Sequence, residues 1–178
     1  MRGAPFRLFE PRAFVYLAPA MSNVENPQQP VIIQPIQTEA ELFQALAIRE
    51  VVFIEEQAVP EGIERDAEDA RAYHVLAIQG GHAIGTGRLV TLPETPANES
   101  GTWVQIGRMA VLKAHRKAKV GTLLLTALED EARRRGVTGI ILHAQLYALE
   151  FYKKHGYEPL GAVFQEAGMD HLEMRKKL

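Results

Sequence analysis

Four basic side chains, His115, Arg116, Lys117 and Lys119, crowd the start of the chain's clearest helical pattern. Cations are disfavoured at that end, because the helix dipole and the unbonded N–H groups already make it positive. A bound anion reverses the sign of the cost. A strand, a basic loop and a helix N-terminus in succession form an anion cradle suited to phosphate. A solvated basic turn satisfies the charges alone equally well. Other phosphate motifs do not fit. No Gly-Lys-Ser/Thr run exists, and Gly85-Thr86-Gly87 lacks both a third glycine and a following helix.

Composition removes several chemistries. The chain has no cysteine, which excludes disulfides, thiol catalysis and cysteine metal sites. Serine occurs only at Ser22 and Ser100, in an N-terminal segment and a Pro-rich loop, so a serine nucleophile is not expected. The six histidines show no i, i+4 pairing, and no metal site is expected. A net charge of -2 gives no global pull toward nucleic acid or anionic membranes. No apolar run approaches the roughly 20 residues that span a bilayer.

The elements that must position these residues follow from periodicity. Val31 to Ile36 reads as a first strand. Thr38 with Glu41 forms a capping box, and helical spacing continues through Leu42, Leu46 and Arg49 to Phe53. Residues 61–71, dense in Glu, Asp and Arg, read as a loop or surface helix. Tyr73 to Ile78 and Ala83 to Thr91 flank the Gly80-Gly81 turn as a hairpin. Thr102 to Leu112 is a further strand. Val120 to Arg135 is the long helix, with Val120, Leu123, Leu124, Ala127 and Leu128 on one apolar face. Gly139 to Ala144 is a strand and Tyr147 to His155 a short helix. Tyr157 to Ala162 and His171 to Lys176 close the chain as strands. The order βαβββαβαββ predicts an α/β (α+β) domain of three layers around a mixed sheet.

Residues 1–20 end in Ala18-Pro19-Ala20, but the apolar stretch Ala13 to Ala18 is short for a signal segment. Residues 22–30 are polar and Pro-rich. Residues 1–30 are therefore expected to form a flexible extension, residues 31–178 the folded domain, and the protein is expected to be cytoplasmic.

Arg108-Met109-Ala110-Val111, followed by Arg116-Lys117-Ala118-Lys119-Val120-Gly121, resembles motif A of the GNAT acetyltransferase superfamily. Arg116 takes the first position of that pattern and Gly121 the last. Lys119 stands where the family usually has glycine, which eases left-handed geometry. Lysine keeps the N–H and adds a charge; an altered loop and weaker cofactor affinity are the alternative. Gln145-x-x-Ala148-x-x-Phe151-Tyr152-x-x-x-Gly156-Tyr157 resembles motif B, with Gln145 in place of its usual asparagine. Val52 to Pro60, then Glu64-x-Asp66-x-x-Asp69 and His74, is similar to a narrower bacterial branch, the ElaA/YjcF-like acetyltransferases. Glu166-Ala167-Gly168-Met169-x-His171 and Met174 resemble that branch's ending. The likeness spans about residues 31–178.

The resemblance implies a three-layer α/β/α sandwich with a splayed central sheet and acetyl-CoA as co-substrate. It implies pantetheine bonded like a strand along Met109, Ala110 and Val111. The pyrophosphate would rest on Arg116, Lys117, Ala118, Lys119, Val120, Gly121 and Thr122, with Gln145 nearby. An amine of a small molecule or peptide would attack the thioester directly. Tyr152 matches the tyrosine that protonates the leaving sulfur. Glu56, Glu55 and His74 are candidate bases, Glu56 first, with a water relay as the other option. The segment Glu61 to Asp69 attracts a cationic acceptor or is a solvated loop. Arg88 and His171 match branch positions near the site without an assigned role. Pairing into a homodimer, transfer of another acyl group, a protein amine as acceptor and a non-catalytic CoA-binding module stay open.

Overall fold

A computed structural model describes residues 29–178. The expected 1–30 extension lies almost wholly outside the described residues. Seven strands form one sheet in the order β1-β2-β3-β4-β5-β7-β6. They are β1 (Ile32–Pro35), β2 (Tyr73–Gln79), β3 (His82–Thr91), β4 (Trp103–Val111), β5 (Gly139–Gln145), β6 (Glu158–Glu166) and β7 (Met169–Lys177). Only β4 and β5 run parallel; the other neighbours are antiparallel, so the sheet is mixed as expected.

The helices are α1 (Glu39–Arg49), α2 (Glu61–Glu64), α3 (Val120–Arg134) and α4 (Leu149–Lys154). Thr38 caps α1 with the full reciprocal box: the Glu41 amide donates to Thr38 Oγ1, and the Thr38 amide donates to Glu41 Oε2 at 2.9 Å. The helix then widens into a π-helical turn over Glu50–Glu55, where the Glu56 amide reaches the Val51 carbonyl. Residues 61–71 fold as α2 and a 3₁₀ turn over Ala67–Ala70.

Two cores separate the layers. On one face of the sheet, Val120, Leu124, Leu125, Leu128 and Ala132 of α3 pack on Val75, Leu89, Val104, Ile106, Ile140 and Leu142. On the other, Ala45, Ile48 and Val52 pack on Leu76 and Ala110. The α3 face is turned slightly from the sequence expectation: Leu123 is exposed and Leu125 is fully buried. A run of three leucines fits two helical phases, and tertiary packing selects the one centred on 124/128.

The sheet splits between its two parallel strands. β4 and β5 pair only at Trp103, Val104 and Gln105 with Gly139, Ile140 and Ile141, and then diverge. Gly139 allows the closed end of this V: a Cβ there would sit 2.6 Å from the Trp103 ring. At the open end, β4 is bent by a bulge, where Arg108 and Met109 together oppose Gly87. Arg108 takes a left-handed φ of 52° at the bulge.

Candidate active site

The split exposes backbone on β4. Ala110 pairs with Thr86, and the Leu112 amide donates to the Ile84 carbonyl of β3. Strand polar groups alternate in direction, so Met109 and Val111 turn theirs away from β3 into the gap. Beyond the gap lies the start of α3, which no side chain caps. Its first amides have no partner within the helix. Lys119 precedes it with φ 59° and ψ 14°, the left-handed geometry that glycine favours. The loop thus keeps the glycine conformation with a lysine in it. That conformation costs a non-glycine residue roughly 1–2 kcal/mol. Lys119→Gly is expected to raise Tm by about 2–4 °C, allowing for the extra freedom glycine gives the unfolded chain. Lys119→Ala brings no such gain. Thermal melts of the two variants check this.

The loop side chains fall in two groups. Lys117 and Lys119 are exposed. Arg116 is engaged: its Nε donates to the Val111 carbonyl at 2.9 Å and its Nη2 to Glu56 Oε2 at 2.6 Å. The first residue of the basic motif therefore bridges the end of β4 to the turn after α1. Glu56 spends its carboxylate on that bridge.

A cavity of about 150 Å³ opens at the split, on the α1 face of the sheet. Met109 and Tyr152 border it, as do Arg88, Arg108 and Glu64, and then His143, Gln145, Glu166 and His171. Tyr152, from α4, donates its hydroxyl to Met109 Sδ at 3.8 Å. Burial pushes this hydroxyl well above the usual phenol range, with a smaller push from Tyr147. The group therefore stays protonated and available as a donor. Gln145 lies at the end of β5, its Nε2 donating to Gln57 Oε1 at 3.1 Å. Its buried Oε1 has no partner.

The three candidate bases from the sequence do not line the cavity, and Glu55 is exposed. Glu56 is held by Arg116, as described. His74 is buried on β2, its Nε2–H donating to the Asp69 carbonyl at 3.0 Å. Burial lowers its pKa, against the opposing pull of Asp69. Sequence reasoning missed His143 and Glu166, which β5 and the β6–β7 hairpin bring together at 2.8 Å. They stand 23 residues apart in sequence, and no local signal links them.

The acidic segment is divided: Glu61, Arg65 and Ala67 are exposed, whereas Glu64, Asp66 and Asp69 face three arginines. Arg49 pairs with Glu64 and donates to both Asp69 oxygens at 2.7 and 3.0 Å. Arg88 donates to Asp66 and Asp69 at 2.7 Å each. Arg108 donates to the Glu64 and Ile63 carbonyls and to Asp66 Oδ2 at 2.9 Å. The network thereby pins the strained Arg108 bulge at the mouth of the split. Among the described residues, no group of three or more His, Cys, Asp or Glu side chains could hold a metal ion. None of their helices is long and apolar enough to cross a membrane.

A parallel pair that splits, a bulged fourth strand and an uncapped helix facing the gap define the fold of the acyl-CoA N-acyltransferases. The chain belongs to the GNAT acetyltransferase family, whose domain model matches residues 35–178. It is 38% identical over 139 residues to YjcF of Bacillus subtilis, named an uncharacterized N-acetyltransferase, covering 78% of this chain and 94% of that one. The crystal structure of Escherichia coli ElaA superposes with a TM-score of 0.69 at 26% identity, covering 82% of this chain and 99% of that one. An acyl-CoA N-acyltransferase from Pseudomonas aeruginosa superposes with a TM-score of 0.66 at 25% identity, covering 83% and 99%. Members of this family take the acyl group from acyl-CoA and act on amine acceptors.

Proposed function

We propose that the protein transfers an acetyl group from acetyl-CoA to a primary amine of a small molecule or peptide, by direct attack. The observation that carries this reading is the β4 edge freed by the split: Met109 on that edge and Tyr152 border one cavity, and Gly121 at the uncapped start of α3 faces the ring of Phe151, next to Tyr152. Bound acetyl-CoA supplies an activated thioester. Met109 and the Val111 amide offer backbone groups to the pantetheine as an added strand would, the Val111 carbonyl being held by Arg116 and Ala110 holding β4 to β3. Main-chain amides of Arg116, Lys117, Lys119, Val120, Gly121 and Thr122 wrap the diphosphate, which the exposed lysines further attract, while the Ala118 amide holds the loop by donating to the His115 carbonyl at 3.2 Å. Gln145, which borders the cavity with its Oε1 unpartnered among the described residues, contacts the bound coenzyme. Tyr152 protonates the departing sulfur.

Calorimetry with acetyl-CoA tests the first half. Val111→Pro removes an amide that faces the gap and no bond of the sheet. It is expected to weaken Kd about tenfold or more, since one lost hydrogen bond costs about 1–3 kcal/mol. Val111→Ala leaves Kd nearly unchanged. Release of free CoA over a panel of amines tests the second half. Tight binding with no turnover on any amine would return the protein to a non-catalytic CoA-binding module. Absence of binding would remove both readings.

A further inference from the structure

We infer that the His143–Glu166 pair accepts the proton of the acceptor amine, a role that rests on the acyl-transfer reading above. The other nearby carboxylates are paired with arginines. Arg49 holds one Glu64 oxygen in a buried ion pair, the other oxygen having no partner among the described residues; Asp69 is spent on Arg49 and Arg88, Asp66 on Arg88 and Arg108, and Glu56 on Arg116. His74 lies off the cavity wall. His143 and Glu166 border the same cavity as Tyr152.

The geometry fixes the tautomer. His143 Nδ1 meets Glu166 Oε2 at 2.8 Å. That hydrogen bond holds the Glu166 carboxyl below its usual range, so it is ionised and can only accept. Nδ1 therefore carries the hydrogen, and the lone pair of the neutral ring lies on Nε2. The edge of Phe164, with centroids 4.9 Å apart, fixes the ring plane. A carboxylate behind an imidazole orients it and stabilises the imidazolium that forms. His171 also presents Nε2, because its Nδ1–H donates to the Met169 carbonyl at 2.9 Å. It is more buried, however, and has only a carbonyl behind it.

The groups facing His143 come from three elements. Glu173 of β7 lies directly across, with its carboxylate held by Arg175 at 2.7 Å. His171 of β7 and Arg108 of β4 act on Glu166. The step balances. As the N–C bond forms and the C–S bond breaks, the nitrogen's proton passes to His143 Nε2 and the Tyr152 hydroxyl proton passes to the thiolate. Solvent then returns a proton from the imidazolium to the tyrosinate, leaving amide and free CoA.

The test combines acetyl-CoA calorimetry with a pH profile of kcat/KM. His143→Gln is expected to lower kcat/KM by about 10²–10⁴ and to abolish the acidic limb, with acetyl-CoA Kd unchanged. Glu166→Gln is expected to lower kcat/KM and alter that limb, again with acetyl-CoA Kd unchanged, because the ring then loses the carboxylate behind it. His171→Gln leaves the limb in place. Retained rate and limb in His143→Gln overturn the inference while binding and wild-type turnover keep the acyl-transfer reading. Loss of the limb in His171→Gln instead also overturns it. Wild-type binding without turnover overturns it as well, since no amine proton is then taken up.

Discussion

Tyr152→Phe is expected to lower kcat by about 10²–10⁴ while leaving the Kd for acetyl-CoA unchanged. The hydroxyl is the one polar atom this substitution removes. Among the described residues its one hydrogen bond is a weak one, to Met109 Sδ at 3.8 Å, so its proton is not committed to a strong acceptor there. Burial keeps it protonated through the neutral pH range. A thiolate forming beside Met109 would be a far better acceptor than the thioether. The ring itself is anchored edge-on by Phe151 at 5.0 Å and Tyr157 at 5.8 Å, and phenylalanine preserves both contacts. A loss of rate in Tyr152→Phe therefore reports the lost proton and not a lost fold, which an unchanged Tm would verify. Full kcat across the pH range in this variant would exclude tyrosine as the acid. Tyr152→Ala serves as the contrast, because it empties the pocket and costs stability as well as rate.

The difference between what the sequence displays and what it conceals follows interaction range. Thr38 and Glu41 lie one turn apart, and their capping box forms as read. Gly80-Gly81 joins β2 to β3, and the charges before Val120 do mark the start of α3. The candidate anion loop was legible because a cluster of cations at a helix N-terminus opposes local electrostatics, and the helix does start there, at Val120, without a side-chain cap. The acidic segment was not legible. Its partners lie at Arg49, Arg88 and Arg108, and Asp69 stands 20 residues from Arg49. Local sequence shows only excess charge there, and both readings of that charge miss the pairing. The Arg108 bulge was hidden for a related reason. A left-handed arginine carries no sequence signal, and carbonyls from residues 63 and 64 hold it in place. The π-helical turn after α1 likewise inserts no recognisable residue, yet it sets where Glu56 meets Arg116.

That network yields the largest expected effect on stability. Asp69→Asn is expected to destabilise the fold by about 3–5 kcal/mol, the usual consequence of breaking a buried charge cluster. For a domain of this size this is roughly 6–20 °C in Tm. Asp69 receives hydrogen bonds from Arg49 and Arg88, and its backbone carbonyl receives one from His74. Asparagine keeps the shape but turns an amide donor toward guanidinium groups that can only donate. It also leaves three arginines facing two carboxylates. Charge of this kind without a partner, away from water, is costly. The pH dependence has a definite sign. Burial pushes the Asp69 carboxyl up, but the hydrogen bonds and charges of Arg49 and Arg88 outweigh it and hold the group well below the carboxylate range. A carboxyl with a depressed folded-state pKa contributes stability that is full above its unfolded value of about 3.9 and is lost as pH falls below it. The wild type should therefore lose Tm between about pH 5 and pH 2 more steeply than Asp69→Asn, and the two curves should converge in acid. Glu150→Gln, which breaks only the exposed pair with Lys153, should leave Tm unchanged at every pH. Because Asp66 ties Arg88 to the Arg108 bulge, loosening this cluster should also relax the mouth of the split. Hydrogen exchange at Gly107 to Met109, faster in Asp69→Asn than in the wild type, would register that coupling. A Tm within about 2 °C of the wild type at neutral pH would show that the cluster is dispensable to the fold.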